Sequence, residues 1–155
     1  MSTPYAKPDL FDQIRPLVDQ VRVFGEIDST NDEARRTIMS GFTGSNLIIA
    51  NTQSSGRGRR GRKWVSPAGG IYMSLTPPLH ESLTQPQALS LVSAISVKQS
   101  LESWSQVPIK LKWPNDLLVE GKKLAGILLE LQTSEPMDHI VFGVGINYSL
   151  TNAQK

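Results

Sequence analysis

The alternation of hydrophobic and polar residues along the chain predicts a domain of short strands with a few helices between them. Apolar or alternating runs that end at glycine, proline or asparagine are typical of strands. Such runs occupy 21–28, 47–52, 70–76, 109–113, 117–133 (a hairpin turning at Glu120-Gly121) and 139–149. Helical spacing or capping residues predict helices over 9–20, between Ser29 and Gly41, and over 86–104. This order of elements favours an α+β domain, with a mixed sheet and its helices on one face.

Composition limits the class of protein. The 155 residues suffice for one compact domain, and we expect a single domain over 1–155. No apolar run reaches the length of a membrane span, and the N-terminus lacks the apolar stretch of a signal peptide, so a cytoplasmic protein without a membrane partner is expected. The chain has no cysteine, and its two histidines, His80 and His139, lie far apart, so no protein-built metal site is expected.

The most unusual segment is SSGRGRRGRKW at 54–64. Five of the sixteen basic residues fall within seven positions here: Arg57, Arg59, Arg60, Arg62 and Lys63. Alternating glycine lets the backbone bring several N–H groups to one point, and arginine adds planar donors for phosphate or carboxylate oxygens. The pattern favours a loop that wraps a small polyanion. A solvated turn and a nucleic-acid patch are the alternatives.

The length and charge of this loop together predict that it becomes ordered when a ligand binds. Residues 53–69 show no apolar periodicity, and structureless loops of this length are usually functional or disordered. No acidic residue lies between Glu33 and Glu81, so nothing nearby in the sequence neutralises the five cations. Because like charges repel, we expect the loop to be mobile until an anion binds.

Two strands carry further candidate residues. In LAGILLEL (124–131) both faces are apolar, which is typical of a central strand covered on both sides. Lys123 directly precedes this strand, and its ammonium group either reaches water or meets an anionic substrate. In HIVFGVGINYS, Gly143, Gly145 and Asn147 share one face, and such a bare face indicates close approach of a helix, another backbone segment or a ligand. Asn147 offers both a donor and an acceptor to a flat heterocycle.

Two polar segments are ambiguous by themselves. The Ser-Thr-Asn sequence at 29–31 suits a helix N-cap, and Asp116, after LKWP, suits a turn. Trp113 is expected in the core, with Lys112 on the other face of its strand. Together with the basic loop and Lys123, these polar groups at strand ends favour one pocket that binds a small anion.

The same segments resemble the catalytic domain of biotin–protein ligases. The matching pieces are DSTN (28–31), QSSGRGRRGRKWVSP (53–67), GIYMSL (70–75), KWPND (112–116), KKLAGILLE (122–130) and GVGIN (143–147). They occur in the family's order over about 21–148. The resemblance implies that family's α+β fold, with a mostly antiparallel sheet like that of class II aminoacyl-tRNA synthetases. It also implies ATP-dependent activation of biotin to biotinyl-5′-AMP, followed by transfer to a lysine of a biotin carboxyl carrier protein, a subunit of acetyl-CoA carboxylase.

The resemblance also implies roles for individual residues. Biotin contacts are implied for Ser29, Thr30, Asn31, Gln53, Gly56, Arg57, Lys123, Gly143 and Gly145. Nucleotide contacts are implied for Arg57, Arg59, Arg60, Arg62, Trp64, Lys112, Asn115 and Asn147. Catalytic roles are implied for Lys123, Arg59 and Asp116. Mg²⁺ would be held mainly by the nucleotide and water, with no metal site of the protein's own.

Two departures from the family pattern qualify these expectations. About twenty residues precede the first predicted strand, which leaves no room for the winged helix of some members, so DNA binding is not expected. Family members continue past the GIN motif through helices and a C-terminal β-barrel, whereas this chain ends at Lys155, so an incomplete domain is expected. A homodimer is a further expectation. The alternatives are a catalytically weak module that binds biotin or its adenylate, a lipoate-handling enzyme, and a nucleic-acid binder.

Overall fold

A computed structural model describes residues 12–77, 86–105, 107–133 and 138–149. The strands are β1 (Gln20–Ile27), β2 (Asn46–Gln53), β3 (Ile71–Thr76), β4 (Lys110–Lys112), β5 (Asp116–Val119), β6 (Lys122–Gln132) and β7 (His139–Ile146). The α-helices are α1 (Thr30–Met39) and α2 (Pro86–Ser105). All predicted strands are thus present, the one predicted at 109–113 being shortened to three residues. Of the helix predicted at 9–20, residues 9–11 lie outside the described ranges, and the helical turn ends at Ile14.

The seven strands form one mixed sheet in the order β1-β2-β3-β7-β6-β5-β4. Among the strands in the described ranges, only β1 and β2 pair in parallel, and every other neighbouring pair is antiparallel. The predicted hairpin turns where expected, with Glu120 and Gly121 both at positive φ (49° and 77°). The predicted α+β class with a mostly antiparallel sheet is therefore confirmed.

The two helices cover opposite faces of the sheet, which corrects the prediction that helices lie mainly on one face. Ala94 of α2 is buried in a cluster with Ile146 of β7, whereas Ala34 of α1 is buried in a second cluster with Val141. Residues an odd number apart on a strand point to opposite faces, so Val141 and Ile146 mark the two sides of β7. Each helix covers the apolar side that the other leaves open.

The strand β6 lies between β7 and β5, as a central strand should. Ala125 and Ile127 are buried beneath α2, but Leu131 is 53% exposed, so the prediction that both faces are covered fails toward the end of the strand. Neither α-helix in the described ranges is both long and apolar enough to cross a lipid bilayer.

Helix α1 begins as its sequence predicts. Ser29 is the N-cap in extended conformation, and its side chain accepts a hydrogen bond from the Asp32 N–H at 3.4 Å. The chain leaves the helix through Gly41, whose φ is +88°. This start fixes residues 29–31 against the same sheet face that carries the glycines of β7.

Candidate functional site

A cavity of about 370 Å³ opens on the α1 side of the sheet. Its walls come from the start of α1, the basic loop, the turn between β4 and β5, and the middle of β6 and β7. The lining includes Ser29, Thr30, Asn31, Gln53, Arg57, Arg59, Arg60, Arg62, Trp64, Lys112, Asn115, Asp116, Lys123, Gly143 and Gly145. These fifteen residues include all but two of the candidates that the sequence points to.

The two remaining candidates, Gly56 and Asn147, lie outside this lining. Gly56 lines an adjoining groove beneath the loop, and a Cβ there would lie 2.6 Å from Ser66 Oγ, so only glycine fits. Asn147 donates its backbone N–H to the Leu124 carbonyl (2.7 Å) and its side-chain Nδ2 to the Lys123 carbonyl (3.0 Å). In this structure the Asn147 amide thus fixes the position of β6 beside Lys123.

The floor of the cavity is made of glycine, and an indole covers it. A Cβ added at Gly126 would lie 2.7 Å from Trp64 Cζ3, and one at Gly145 would lie 2.6 Å from Trp64 Nε1. Gly126 and Gly145 are paired across β6 and β7, so the two bare positions form one surface. Trp64 Nε1 is buried with no hydrogen-bond partner among the described residues. Sequence analysis missed Gly126, although a glycine inside an apolar strand is a signal of close approach.

The third bare position, Gly143, faces helix α1. A Cβ on Gly143 would lie 2.9 Å from Asn31 Cγ and closer still to its Oδ1. Asn31 accepts a hydrogen bond from Ser74 Oγ (2.6 Å) and donates one to Glu130 Oε2 (2.8 Å). Of the alternatives for the bare face of β7, a helix therefore accounts for Gly143, and a loop side chain accounts for the position over Gly145.

A chain of buried and partly buried hydrogen bonds continues from this asparagine to the basic loop. Ser74 Oγ also lies 2.8 Å from Thr30 Oγ1. Thr30 donates its N–H (2.8 Å) to Gln53 Oε1, and Gln53 Nε2 donates to Ser66 Oγ at 2.8 Å. Three of the side chains for which biotin contacts are implied, Thr30, Asn31 and Gln53, are therefore already oriented by their neighbours. Such preorganised donors and acceptors cost little reorganisation when a ligand binds.

Lys123 is paired on the cavity wall. Its Nζ lies 2.8 Å from Asp116 Oδ1 and 4.9 Å from the centre of the Trp64 ring, and its side chain is 42% exposed. An ammonium in such a place can approach an incoming anion by a small side-chain rotation, while Asp116 compensates its charge in the meantime. The sequence left two possibilities open for this ammonium group. It is partly exposed, so it can reach water, and it lines the cavity; that it meets an anionic substrate stays a prediction.

The basic loop is folded back on itself and closes one side of the cavity. Isolated bridges join Gln53 to Ser66 and Arg57 to Lys63, and a 3₁₀ turn spans Arg59–Gly61. At the tip, Arg59 Nη1 donates to Asn115 Oδ1 at 3.0 Å, so the loop reaches the β4–β5 turn. Trp113, expected in the core, is instead 78% exposed at the rim, since it follows the short strand β4, which is the edge of the sheet that the structure describes.

Arg57 points to two carboxylates. Its guanidinium contacts Asp32 Oδ1 at 2.5 Å and Glu130 Oε1 at 2.6 Å. Burial alone would lower the Arg57 pKa, but the hydrogen bond to Asp32 and the charges of both acids outweigh it, so its pKa is raised. The other four cations of the loop show no ion pair among the described residues.

The donor set of the cavity does not suit a metal ion held by the protein. Within the described ranges no group of three or more His, Asp or Glu side chains converges. Of the side-chain oxygens on the cavity wall, Asp116 Oδ1 is paired with Lys123 and Asn115 Oδ1 accepts a hydrogen bond from Arg59. A divalent ion would therefore depend mainly on oxygens of the ligand and water.

Residues 23–147 match the biotin/lipoate A/B protein ligase family. The biotin–[acetyl-CoA-carboxylase] ligase of Paracoccus denitrificans is 39% identical over 77% of this chain and 51% of its own length. The bifunctional ligase/repressor BirA of Escherichia coli is 40% identical over 87% of this chain and 42% of its own length.

Solved structures of two biotin ligases are also similar to this chain. The biotin protein ligase of Aquifex aeolicus in complex with biotin and ATP superposes with a TM-score of 0.69 at 33% identity, covering 87% of this chain and 56% of that one. The biotin acetyl coenzyme A carboxylase synthetase of Helicobacter pylori gives a TM-score of 0.72 at 28% identity over 88% and 64%. The chain spans about half the length of the curated relatives named here, and it belongs to the biotin/lipoate A/B protein ligase family.

Proposed function

We propose that this chain provides the biotin-activating site of an ATP-dependent biotin–protein ligase. The observation that carries the proposal is the glycine-floored cavity, which is lined by cationic residues from three separate segments, namely Arg59, Lys112 and Lys123. A carboxylate and a triphosphate repel each other, so a site that joins them needs several cations at one place. The names of the relatives from Paracoccus denitrificans and Aquifex aeolicus support biotin as the acid and ATP as the nucleotide.

The reaction needs positioning and charge stabilisation more than covalent help from the protein. A biotin carboxylate oxygen attacks the α-phosphorus of ATP, the bond from that phosphorus to the bridging oxygen breaks, and pyrophosphate leaves. In the second step a neutral lysine amine of the acceptor attacks the acyl carbon, the acyl–oxygen bond breaks, and AMP leaves as the amine loses a proton. The acceptor is proposed to be a biotin carboxyl carrier protein.

Each wall of the cavity has a part in this proposal. Thr30, Asn31 and Gln53 hold the polar ring of biotin, because their hydrogen bonds already orient them. Lys123 leaves Asp116 and stabilises the carboxylate and the α-phosphate as they meet. Arg59 at the loop tip holds the phosphates from the other side. Loss of one such preorganised donor typically raises the barrier by about 2.7–4 kcal/mol.

Mg²⁺ would neutralise phosphate charge as part of the nucleotide complex, and it would be held by the ligand's oxygens. Lys112 and the Asn115-Asp116 turn line the cavity and, in this proposal, face this charge. The expectations of a homodimer and of no DNA binding stay predictions.

The test is biotin-stimulated exchange of labelled pyrophosphate into ATP, with isothermal titration of biotin in parallel. Exchange that depends on biotin supports the proposal. Saturable biotin binding without exchange would favour the alternative of a binding module. Exchange stimulated by lipoate but not by biotin would assign the site to the other branch of the family. A complete lack of both binding and exchange, with biotin and with lipoate, would overturn the proposal.

A further inference from the structure

The basic loop contains one cation that differs from the other four. Arg57 sits at the stem of the loop, where its guanidinium bridges a carboxylate on α1 and another on β6. Both acids are mostly buried at their side chains, with Asp32 30% and Glu130 20% exposed, and Arg57 itself is 37% exposed. A partly buried cation held by two carboxylates at hydrogen-bond distance has little freedom to serve a third anion.

Glu130 connects this bridge to the polar pocket. Its Oε1 accepts from Arg57, while its Oε2 accepts from Asn31 Nδ2 at 2.8 Å. Asn31 is 5% exposed and is fixed on its other side by Ser74. The same carboxylate therefore fixes the stem of the loop and one of the side chains proposed to contact biotin.

The tip of the loop is held differently. Between Arg59 and Lys63 the side chains are exposed, and Arg60 adopts a positive φ of 58°. Within the described ranges, the hydrogen bond from Arg59 to Asn115 joins these side chains to another segment. If the Arg57 bridge were lost, the N-terminal side of the loop would keep its backbone contacts at Ser54 and Ser55 and lose its anchor to β6.

We propose that Arg57 is a positioning residue whose ion pairs with Asp32 and Glu130 keep the stem of the loop docked beside the cavity before ligand binds, and that phosphate contacts fall to the residues of the tip. The docking claim concerns the ligand-free protein and does not depend on the proposed function. The claim about phosphate contacts does rest on the proposed function. A docked stem means that ligand binding has only the tip left to order, which lowers the entropic cost of closure.

Limited trypsin digestion of the ligand-free protein tests the docking claim. The stem offers a cleavage site after Arg57, where the ion pairs with Asp32 and Glu130 must open before the protease can bind. The sites after Arg59, Arg60, Arg62 and Lys63 lie in the exposed tip and are cut in either state. Asp32→Asn removes one arm of the bridge without touching Asn31, and Glu130→Gln weakens the other; both leave every tryptic site in place. Each charge-assisted bond contributes a factor of about ten to the closed state. We therefore expect loop cleavage after Arg57, followed by mass spectrometry of the fragments, to accelerate about tenfold in each variant.

The matched control is Glu33→Gln. Glu33 is also an acid in the first turn of α1, but its partners are Arg22 and Arg36 rather than the loop. It therefore reproduces the loss of a helix N-terminal charge without changing the bridge. Loop cleavage in the Glu33→Gln variant should stay within about twofold of the parent. Cleavage in Asp32→Asn and Glu130→Gln that is no faster than in Glu33→Gln would overturn the docking claim.

Titration with ATP separates the positioning role from a phosphate-binding role. If Arg57 were a phosphate ligand competed for by Glu130, then Glu130→Gln would free it and tighten ATP binding. With Arg57 acting as proposed, ATP affinity falls or stays within twofold in Glu130→Gln, and the double variant Arg57→Gln/Glu130→Gln shows no further loss beyond either single change. Arg57→Lys, which keeps the charge but not the two-pronged geometry, should restore loop protection only in part. Tighter ATP binding in Glu130→Gln would refute the positioning role, even if exchange activity is present.

Discussion

Gly143→Ala should damage the site through Asn31 rather than through the sheet. The new Cβ would lie 2.9 Å from both Asn31 Cγ and Nδ2, and closer to Oδ1, whereas ordinary contacts are 3.4–4 Å. Asn31 is too well enclosed to rotate away within its pocket, since it is 5% exposed. Relief requires a shift of roughly 1 Å away from β7, which breaks the geometry of its hydrogen bonds to Ser74 and Glu130.

The cost follows from those two bonds. The bond to the Glu130 carboxylate is charge-assisted and worth about 1.5–3 kcal/mol, and the bond from Ser74 is worth about 0.5–1.5 kcal/mol. A loss of both lowers the free energy of unfolding by about 2–4 kcal/mol. With a urea dependence of about 2 kcal/mol per molar, typical of small domains, the midpoint of unfolding falls by about 1–2 M.

The assay is equilibrium urea unfolding, with Gly25→Ala as the control. Gly25 also lies inside a strand, its φ is not positive, and a Cβ there meets nothing within 4 Å. Gly25→Ala should change the free energy of unfolding by less than about 1 kcal/mol, and toward stabilisation. If the two variants unfolded at the same urea concentration, Asn31 would not be pressed against β7, and the polar chain built on it would be misassigned.

Three further predictions concern charge. Lys123→Ala should lower biotin-dependent pyrophosphate exchange by about 10²–10³-fold while biotin affinity in calorimetry changes little; Lys122→Ala, an exposed neighbour on β6, should leave both near the parent values. Arg59→Gly should release the adenylate faster in a single-turnover release assay, because the loop loses its contact to the β4–β5 turn; an unaltered release rate would contradict this. The hydrogen bond from Arg36 holds the pKa of Asp28 at about 2, so the stability difference between the parent and Asp28→Asn should be complete above pH 4 and vanish as the pH falls toward 2. Because that pair is almost half exposed, the difference in urea unfolding should be only about 0.5–1 kcal/mol, and a difference that grows in acid would refute it.

Local patterns were sufficient to predict most of the fold. The N-cap at Ser29 and the turn at Glu120-Gly121 depend on neighbours within four residues, and both appear where the sequence places them. The bare face of β7 was also predictable, because alternation within one strand fixes which residues share a side. Trp113 was misplaced because its burial depends on whether another strand lies beyond β4, and no local pattern carries that information.

The glycine floor shows why the site was only partly predictable. Gly145 was found from its own strand, but Gly126 becomes part of the same surface only through the pairing of β6 with β7. That register is fixed by contacts between segments about twenty residues apart, which a reading of single strands does not include. Two glycines opposite each other make room for an indole, whereas one would not.

Arg57 shows that charges counted along the sequence do not reveal which cations are paired in the fold. The absence of acids from residue 34 to residue 80 predicted a loop whose cations repel one another when empty. Asp32 and Glu130, 25 and 73 positions away, nonetheless lie within hydrogen-bond distance of the guanidinium. Coulomb energy depends on distance in space, so one cation of the five is neutralised at the stem while the tip keeps its charge. A loop divided in this way can stay docked without ligand and still offer cations to an anion, which uniform repulsion would not allow.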